Sequence, residues 1–133
     1  MSSHYHAIVW IDHHEAKIFH FDSTEVDSTT IRSSHPHQHI HHKANARDSG
    51  HAPVDTPFLQ QVAHALQQAG AVLITGPAGA KNELVGYIER EDPNLAKRIA
   101  AVQTLDHPSE GELVKLARTF FVADDRMRSQ LHS

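Results

Sequence analysis

The sequence predicts one α/β domain: a mixed sheet that opens with an antiparallel meander and carries helices on its faces. Three observations lead there. Apolar, β-branched-rich runs joined by short polar links fill the first third of the chain. Beyond residue 56, helical periodicity alternates with short all-apolar runs, the pattern of parallel crossovers. The length of 133 residues suits a single core, so the whole of 1–133 is expected to be one domain.

Tyr5 to Ile11 (YHAIVWI) is the first strand, and a polar turn at Asp12-His13-His14-Glu15 leads into the second, Ala16 to Phe21 (AKIFHF). Trp10, Phe19 and Phe21 are read as the core of this hairpin. Val26, Thr29, Thr30 and Ile31 favour a third strand over Glu25 to Arg32. Asp55 or Thr56 can cap a helix with Pro57 at its first position; Phe58, Leu59, Val62, Ala63 and Leu66 share one face, and Gly70 is the expected stop. Ala71 to Thr75 (AVLIT) reads as a strand buried on both faces. Gly76-Pro77-Ala78-Gly79 turns the chain into a helix bearing Leu84, Val85, Tyr87 and Ile88. Asp92 caps a short helix from Pro93, with Leu95 and Ile99 expected to face inward, and Ala100 to Leu105 is the last strand. Ser109 and Glu112 have capping-box spacing. Leu113, Leu116, Ala117, Phe120 and Phe121 then repeat as a core-facing stripe, and the polar tail 124–133 is expected to fray.

Composition narrows the function. Lys plus Arg number 12 and Asp plus Glu 16, which argues against a whole-surface nucleic-acid binder but leaves room for a local basic patch. No run is long and apolar enough to span a membrane, and the N-terminus does not resemble a secretion signal, so a cytoplasmic location is expected. With 0 cysteines, disulfide scaffolds, thiolate zinc sites and cysteine nucleophiles are excluded. Histidine is the outlier: protonating all 14 moves the formal charge from −4 to +10, largely between about pH 5.5 and 7.5 for unperturbed side chains.

The segment VLITGPAGAK follows a strand and opens a helix, so a phosphate-binding loop has to be weighed. Gly79 is followed by Ala80, Lys81 and Asn82, so the spacing is wrong and the magnesium-binding hydroxyl is missing. A glycine at a strand-to-helix turn is ordinary backbone chemistry. The longer stretch GPAGAKNELVGYIE resembles a signature of another kind, found in the central domain of the archaeal and eukaryotic peptide-chain release factors and of the ribosome-rescue factor Pelota. The matching positions are Gly76, Pro77, Lys81, Leu84, Tyr87 and Ile88, with Gly79 in the same turn and Ala78 where that family often has glycine. The opening hairpin IVWIDHHEAKIFHF and the element order are similar too, so the resemblance covers nearly the whole chain, most closely stand-alone bacterial versions of the domain. It implies a release-factor central-domain-like fold and a role in translation.

In the release factors the long loop after the meander carries a Gly-Gly-Gln tip that supports peptidyl-tRNA hydrolysis. The equivalent loop here, 33–56, lacks that tripeptide; its one glycine is Gly50, followed by His51. Release-type catalysis is therefore not expected, and Pelota's loop departs in the same way. The resemblance instead implies a non-catalytic factor that binds the ribosome, its rRNA or tRNA, with stalled or idle ribosomes as plausible targets.

The residues of the loop suit that task. It holds His35, His37, His39, His41, His42 and His51 with Lys43 and Arg47, and its charge rises from zero to +6 when all six histidines are protonated. Histidine stacks on bases and, when charged, pairs with phosphate. The plain alternative is a solvated loop of drifted composition. Metal binding is the competing use: His35, His37, His39 and His41 alternate, about 6.7 Å apart on one face if extended. His37, His39 and His41 would then hold zinc or nickel, although the expected function requires no cofactor. A metal-dependent phosphodiesterase centred on Asp12 is a third reading, because Asp12, Asp22, Asp106 and Asp124 fall at element ends. Carboxylates there also serve as ordinary turn and cap residues. Arg118, Arg126 and Arg128 are candidates for a solvated face or a minor RNA contact.

Overall fold

The computed structural model describes residues 6–22, 24–33 and 55–132, with side chains as far as Ala123. Its elements are β1 (His6–Ile11), β2 (Glu15–Phe21), β3 (Val26–Arg32), α1 (Thr56–Ala65), β4 (Ala71–Gly76), α2 (Ala80–Glu91), α3 (Pro93–Ala96), β5 (Ile99–Thr104) and α4 (Glu110–His132). The strands form a mixed sheet of order β3-β2-β1-β4-β5. β1 and β2, and β2 and β3, pair antiparallel; β4 lies parallel to both β1 and β5.

Alternation along the strands divides the core in two. Ala7, Val9 and Ile11 of β1, with Ala16, Ile18, Val72 and Ile74, face the buried side of α1, α2 and α3. Ile8, Trp10, Phe19, Phe21 and Leu73 face Leu113, Ala117 and Phe121 of α4. β4 is therefore buried on both faces, as its all-apolar sequence requires, and its one polar side chain, Thr75, donates to the Val9 carbonyl at 2.9 Å.

Local chemistry sets the ends. Asp55 accepts from the Phe58 N–H at 3.1 Å and Asp92 from the Leu95 N–H at 3.2 Å, so both caps stand where the sequence puts them. The Ser109–Glu112 capping box closes reciprocally, at 2.8 and 3.1 Å. Several strand ends shift by one residue, and two differences involve helix ends. α1 stops at Ala65 rather than running to Gly70, and Arg98 holds the turn that follows by donating to the Gln67 and Ala69 carbonyls at 3.0 and 2.9 Å. Ile99 opens β5 instead of closing the short helix. The backbone of α4 is helical through 124–132. Among the described residues no helix is long and apolar enough to cross a membrane.

Candidate functional site

The carboxyl ends of β1, β3, β4 and β5 meet at one edge of the sheet, the usual place for a site in an α/β fold. Three connections converge there. The β1–β2 turn is held by Asp12, whose Oδ1 accepts the His14 and Glu15 N–H groups at 2.8 and 2.9 Å. The long loop leaves from Ser33 and returns at Asp55. The Ser33 N–H donates to the His14 carbonyl at 2.8 Å, and the Ser33 hydroxyl donates to the Asp55 carboxylate. One aspartate thus caps α1 and ties the outgoing stem to the returning one. Ser33 and Asp55 thus stand together beside the hairpin turn.

The third connection is the signature turn between β4 and α2. A Cβ on Gly76 would lie 2.3 Å from the Ile11 carbonyl oxygen, so the parallel approach of β1 and β4 admits only glycine. Gly79 is different: its φ is −79° and no atom lies within 4 Å of where a Cβ would stand, so neither space nor backbone requires glycine there. Lys81 is buried, 7% exposed, and its Nζ donates to the Ala78 carbonyl at 2.6 Å. It fastens the turn. Pro77 starts the turn directly after β4. Glu83, near the start of α2, reaches back to His13 of the hairpin turn at 3.1 Å and links the two connections. On the far side of the edge, the Trp10 indole N–H is shared by the Leu105 and Asp106 carbonyls at 3.3 and 3.1 Å.

The candidate RNA contacts His35, His37, His39, His41, His42, Lys43, Arg47 and His51, and with them the candidate metal ligands His37, His39 and His41, lie outside the described residues. The side chains of Arg126, Arg128 and Asp124 do as well. Arg118 is described, and it is a packing residue: its guanidinium lies 5.2 Å from the Phe21 ring centre and donates to the Asp22 carbonyl at 2.9 Å. Of the described element-end aspartates, Asp12 and Asp22 hold turns at opposite ends of the sheet. Asp22 repeats the role of Asp12 in the β2–β3 turn, and the N–H groups of Thr24 and Glu25 hold its carboxyl below the ordinary range, helped by the Thr24 hydroxyl and Arg118. Asp106 pairs with the adjacent His107 at 3.0 Å. Among the described residues no group of three or more His, Asp or Glu side chains is placed to hold a metal ion. The Ser33–Asp55 tie and the His13–Glu83 pair had no sequence signal, since 22 and 70 positions separate their partners.

No protein-family model and no curated protein sequence matches the chain. Solved structures do match its fold. Pelota of Archaeoglobus fulgidus superimposes with a TM-score of 0.65 at 15% identity, over 96% of this chain and 36% of that one. Pelota of Thermoplasma acidophilum gives 0.55 at 18% identity over 80% and 30%. An archaeal translation termination factor gives 0.56 at 15% identity over 97% and 41%. The chain thus spans little more than a third of the structures it resembles, and what it shares with them is one α/β domain.

Proposed function

We propose that this protein is a non-catalytic, translation-associated factor that binds the ribosome or tRNA through the loop 33–56. The observation carrying this reading is the fold match, over 80–97% of the chain, to two Pelota structures and a termination factor. The anchoring of both loop stems at one sheet edge, against the hairpin and signature turns, supports it. A loop fastened at its base by Ser33 and Asp55 can reach an RNA surface without disturbing the core beneath it. Lys43 and Arg47 supply permanent charge for phosphate, and His35, His37, His39, His41, His42 and His51 add charge that an anionic partner draws in with protons. Without a Gly-Gly-Gln tip the loop binds and does not hydrolyse.

Sedimentation of extracts from growing and starved cells through sucrose gradients tests this. The protein should travel with ribosomal particles, and the combined His37→Ala, His39→Ala, His41→Ala and His42→Ala variant should stay at the top while retaining its circular dichroism spectrum. A wild-type protein that stays at the top at low salt and pH 6.5 refutes the reading. Stoichiometric zinc or nickel uptake in calorimetry, lost in the same variant, would then assign the histidines to metal.

A further inference from the structure

Beside the hairpin turn, on the face of the sheet covered by α4, lies a cavity of about 290 Å³ that the loop-based reading does not use. Trp10 and Lys17 come from the sheet, Asp12 and Glu15 from the hairpin turn and its exit, and His107 and Pro108 from the β5–α4 connection. The volume stands at the lower limit of small-molecule sites and suffices for a single heterocycle.

Its chemistry is uneven in an informative way. Trp10, 4% exposed, forms part of the floor, and its N–H is already engaged by two carbonyls, so the indole offers carbon surface. The His107 ring stands 5.1 Å from the indole, inclined by 51°, with its side chain 69% exposed at the mouth. Asp12 spends Oδ1 on the turn. Glu15 meets Arg32 only at 3.8 Å, and Lys17 makes no hydrogen bond or ion pair among the described residues. Glu15 and Lys17 are two apart on one strand, so they stand on the same face about 7 Å apart. A ligand that offers a pair of adjacent donors to the carboxylate and an acceptor next to them to the ammonium satisfies both. It must also present a flat face to the imidazole. A metal ion would leave the ammonium and the indole face unmet, and no three-ligand group is present among the described residues. Guanine meets all of these demands: N1–H and the 2-amino group lie side by side, and O6 is next to them. Adenine presents no such donor pair.

We propose that this cavity takes an unpaired guanine base of single-stranded RNA. Glu15 accepts from N1–H and the 2-amino group, Lys17 donates to O6, and the base rests against Trp10 and His107. The adjoining surface suits the sugar–phosphate chain. Ser28, Thr30 and Arg32 pair with Phe19, Lys17 and Glu15, which places them on the α4 side of β3, and all three are exposed. They offer two hydroxyls and a guanidinium in a row leading away from the cavity. This deepens the translation reading and rests on it, since it names the RNA feature recognised.

Trp10 is the protein's 1 tryptophan, so its fluorescence reports on the cavity directly. The full chain is titrated with the pentanucleotides UUGUU, UUAUU and the inosine analogue of the first, and dye-labelled copies give the affinity independently by anisotropy. UUGUU should bind about 10-fold or more tightly than UUAUU and change Trp10 emission, with inosine between them because it lacks the 2-amino group. Glu15→Gln should erase the preference for guanine without lowering the melting temperature, and Lys17→Ala should weaken binding of UUGUU. Equal affinity for the guanine and adenine oligomers overturns the proposal, as does a Glu15→Gln variant that binds UUGUU as well as wild type. Displacement of UUGUU by a free amino acid or a basic peptide at lower concentration also overturns it. If selectivity is absent yet the protein still sediments with ribosomes, only the guanine site falls. If UUGUU binds selectively and nothing sediments, the translation reading falls and the cavity assignment stands.

Discussion

Gly76→Ala isolates the constraint that gives the signature turn its shape. The new Cβ would sit 2.3 Å from the Ile11 carbonyl oxygen, a separation that must open to at least 3.0 Å, so β1 and β4 would have to part by roughly 0.7 Å. Neither strand has room. Ile8, Val9, Leu73 and Ile74 are all 0% exposed, and the two strands lie between both core clusters. The obstacle is backbone, so no rotamer change relieves it. Overpacking of this kind costs about 1–3 kcal/mol, and the absence of any relief puts this substitution near the upper end. For a domain of this size each kcal/mol moves the midpoint by about 3–5 °C, so thermal unfolding followed by circular dichroism should show a fall of about 6–15 °C. Gly79→Ala is the control. With nothing within 4 Å and φ at −79°, it should stay within about 1 kcal/mol of wild type, the weaker N-cap being offset by a stiffer unfolded chain. A Gly76→Ala protein that melts with the wild type would refute the claim that the β1–β4 approach demands glycine.

Asp22 should titrate below 3.8 in carbon-detected NMR, because the Thr24 and Glu25 N–H groups favour its carboxylate. Since the native value is depressed, its stabilising effect is complete above the unfolded pKa and is lost as pH falls through the native one; Asp22→Asn should therefore flatten the acid limb of the stability profile. Ser109→Ala should cost about 1 kcal/mol in urea unfolding, by leaving the Glu112 N–H without its cap. His13→Ala should cost under about 1 kcal/mol by the same assay, because the pair with Glu83 is exposed at 47% and 31% and is screened by salt. Trp10→Phe, which strands the Leu105 and Asp106 carbonyls at the sheet edge, should cost more than His13→Ala, about 1–3 kcal/mol.

Elements whose causes are local were legible in the sequence. Asp55-Thr56-Pro57, Asp92-Pro93 and Ser109 with Glu112 each carry a cap and its partner within four residues, and AVLIT has a composition that only a doubly covered strand tolerates. The meander was equally plain, because alternation assigns Ala16 and Ile18 to one face and Phe19 and Phe21 to a position reachable only from the other side. What escaped the sequence depends on partners far along the chain. Arg98 holds the turn after α1 from 29 residues away by donating to the Ala69 carbonyl. Gly76 and Gly79 look alike in the signature, and only the position of the Ile11 carbonyl separates a required glycine from an optional one. Arg118 has the sequence context of a free surface cation, yet the Phe21 ring and the Asp22 carbonyl engage it. The stems of the loop could be named, but not that Ser33 and Asp55 meet.

The central claim, that the histidine-rich loop binds ribosomal RNA or tRNA by charge-assisted contacts, is tested most directly with purified ribosomes. Pelleting affinity should be measured at pH 8 and pH 6 and at two salt concentrations, for wild type and for the variant with His37, His39, His41 and His42 replaced by alanine. Wild-type binding should weaken with salt, strengthen as pH falls, and lose its pH dependence in the variant. Wild-type and variant proteins that pellet equally at both pH values, or a wild type that does not pellet at all, would contradict it.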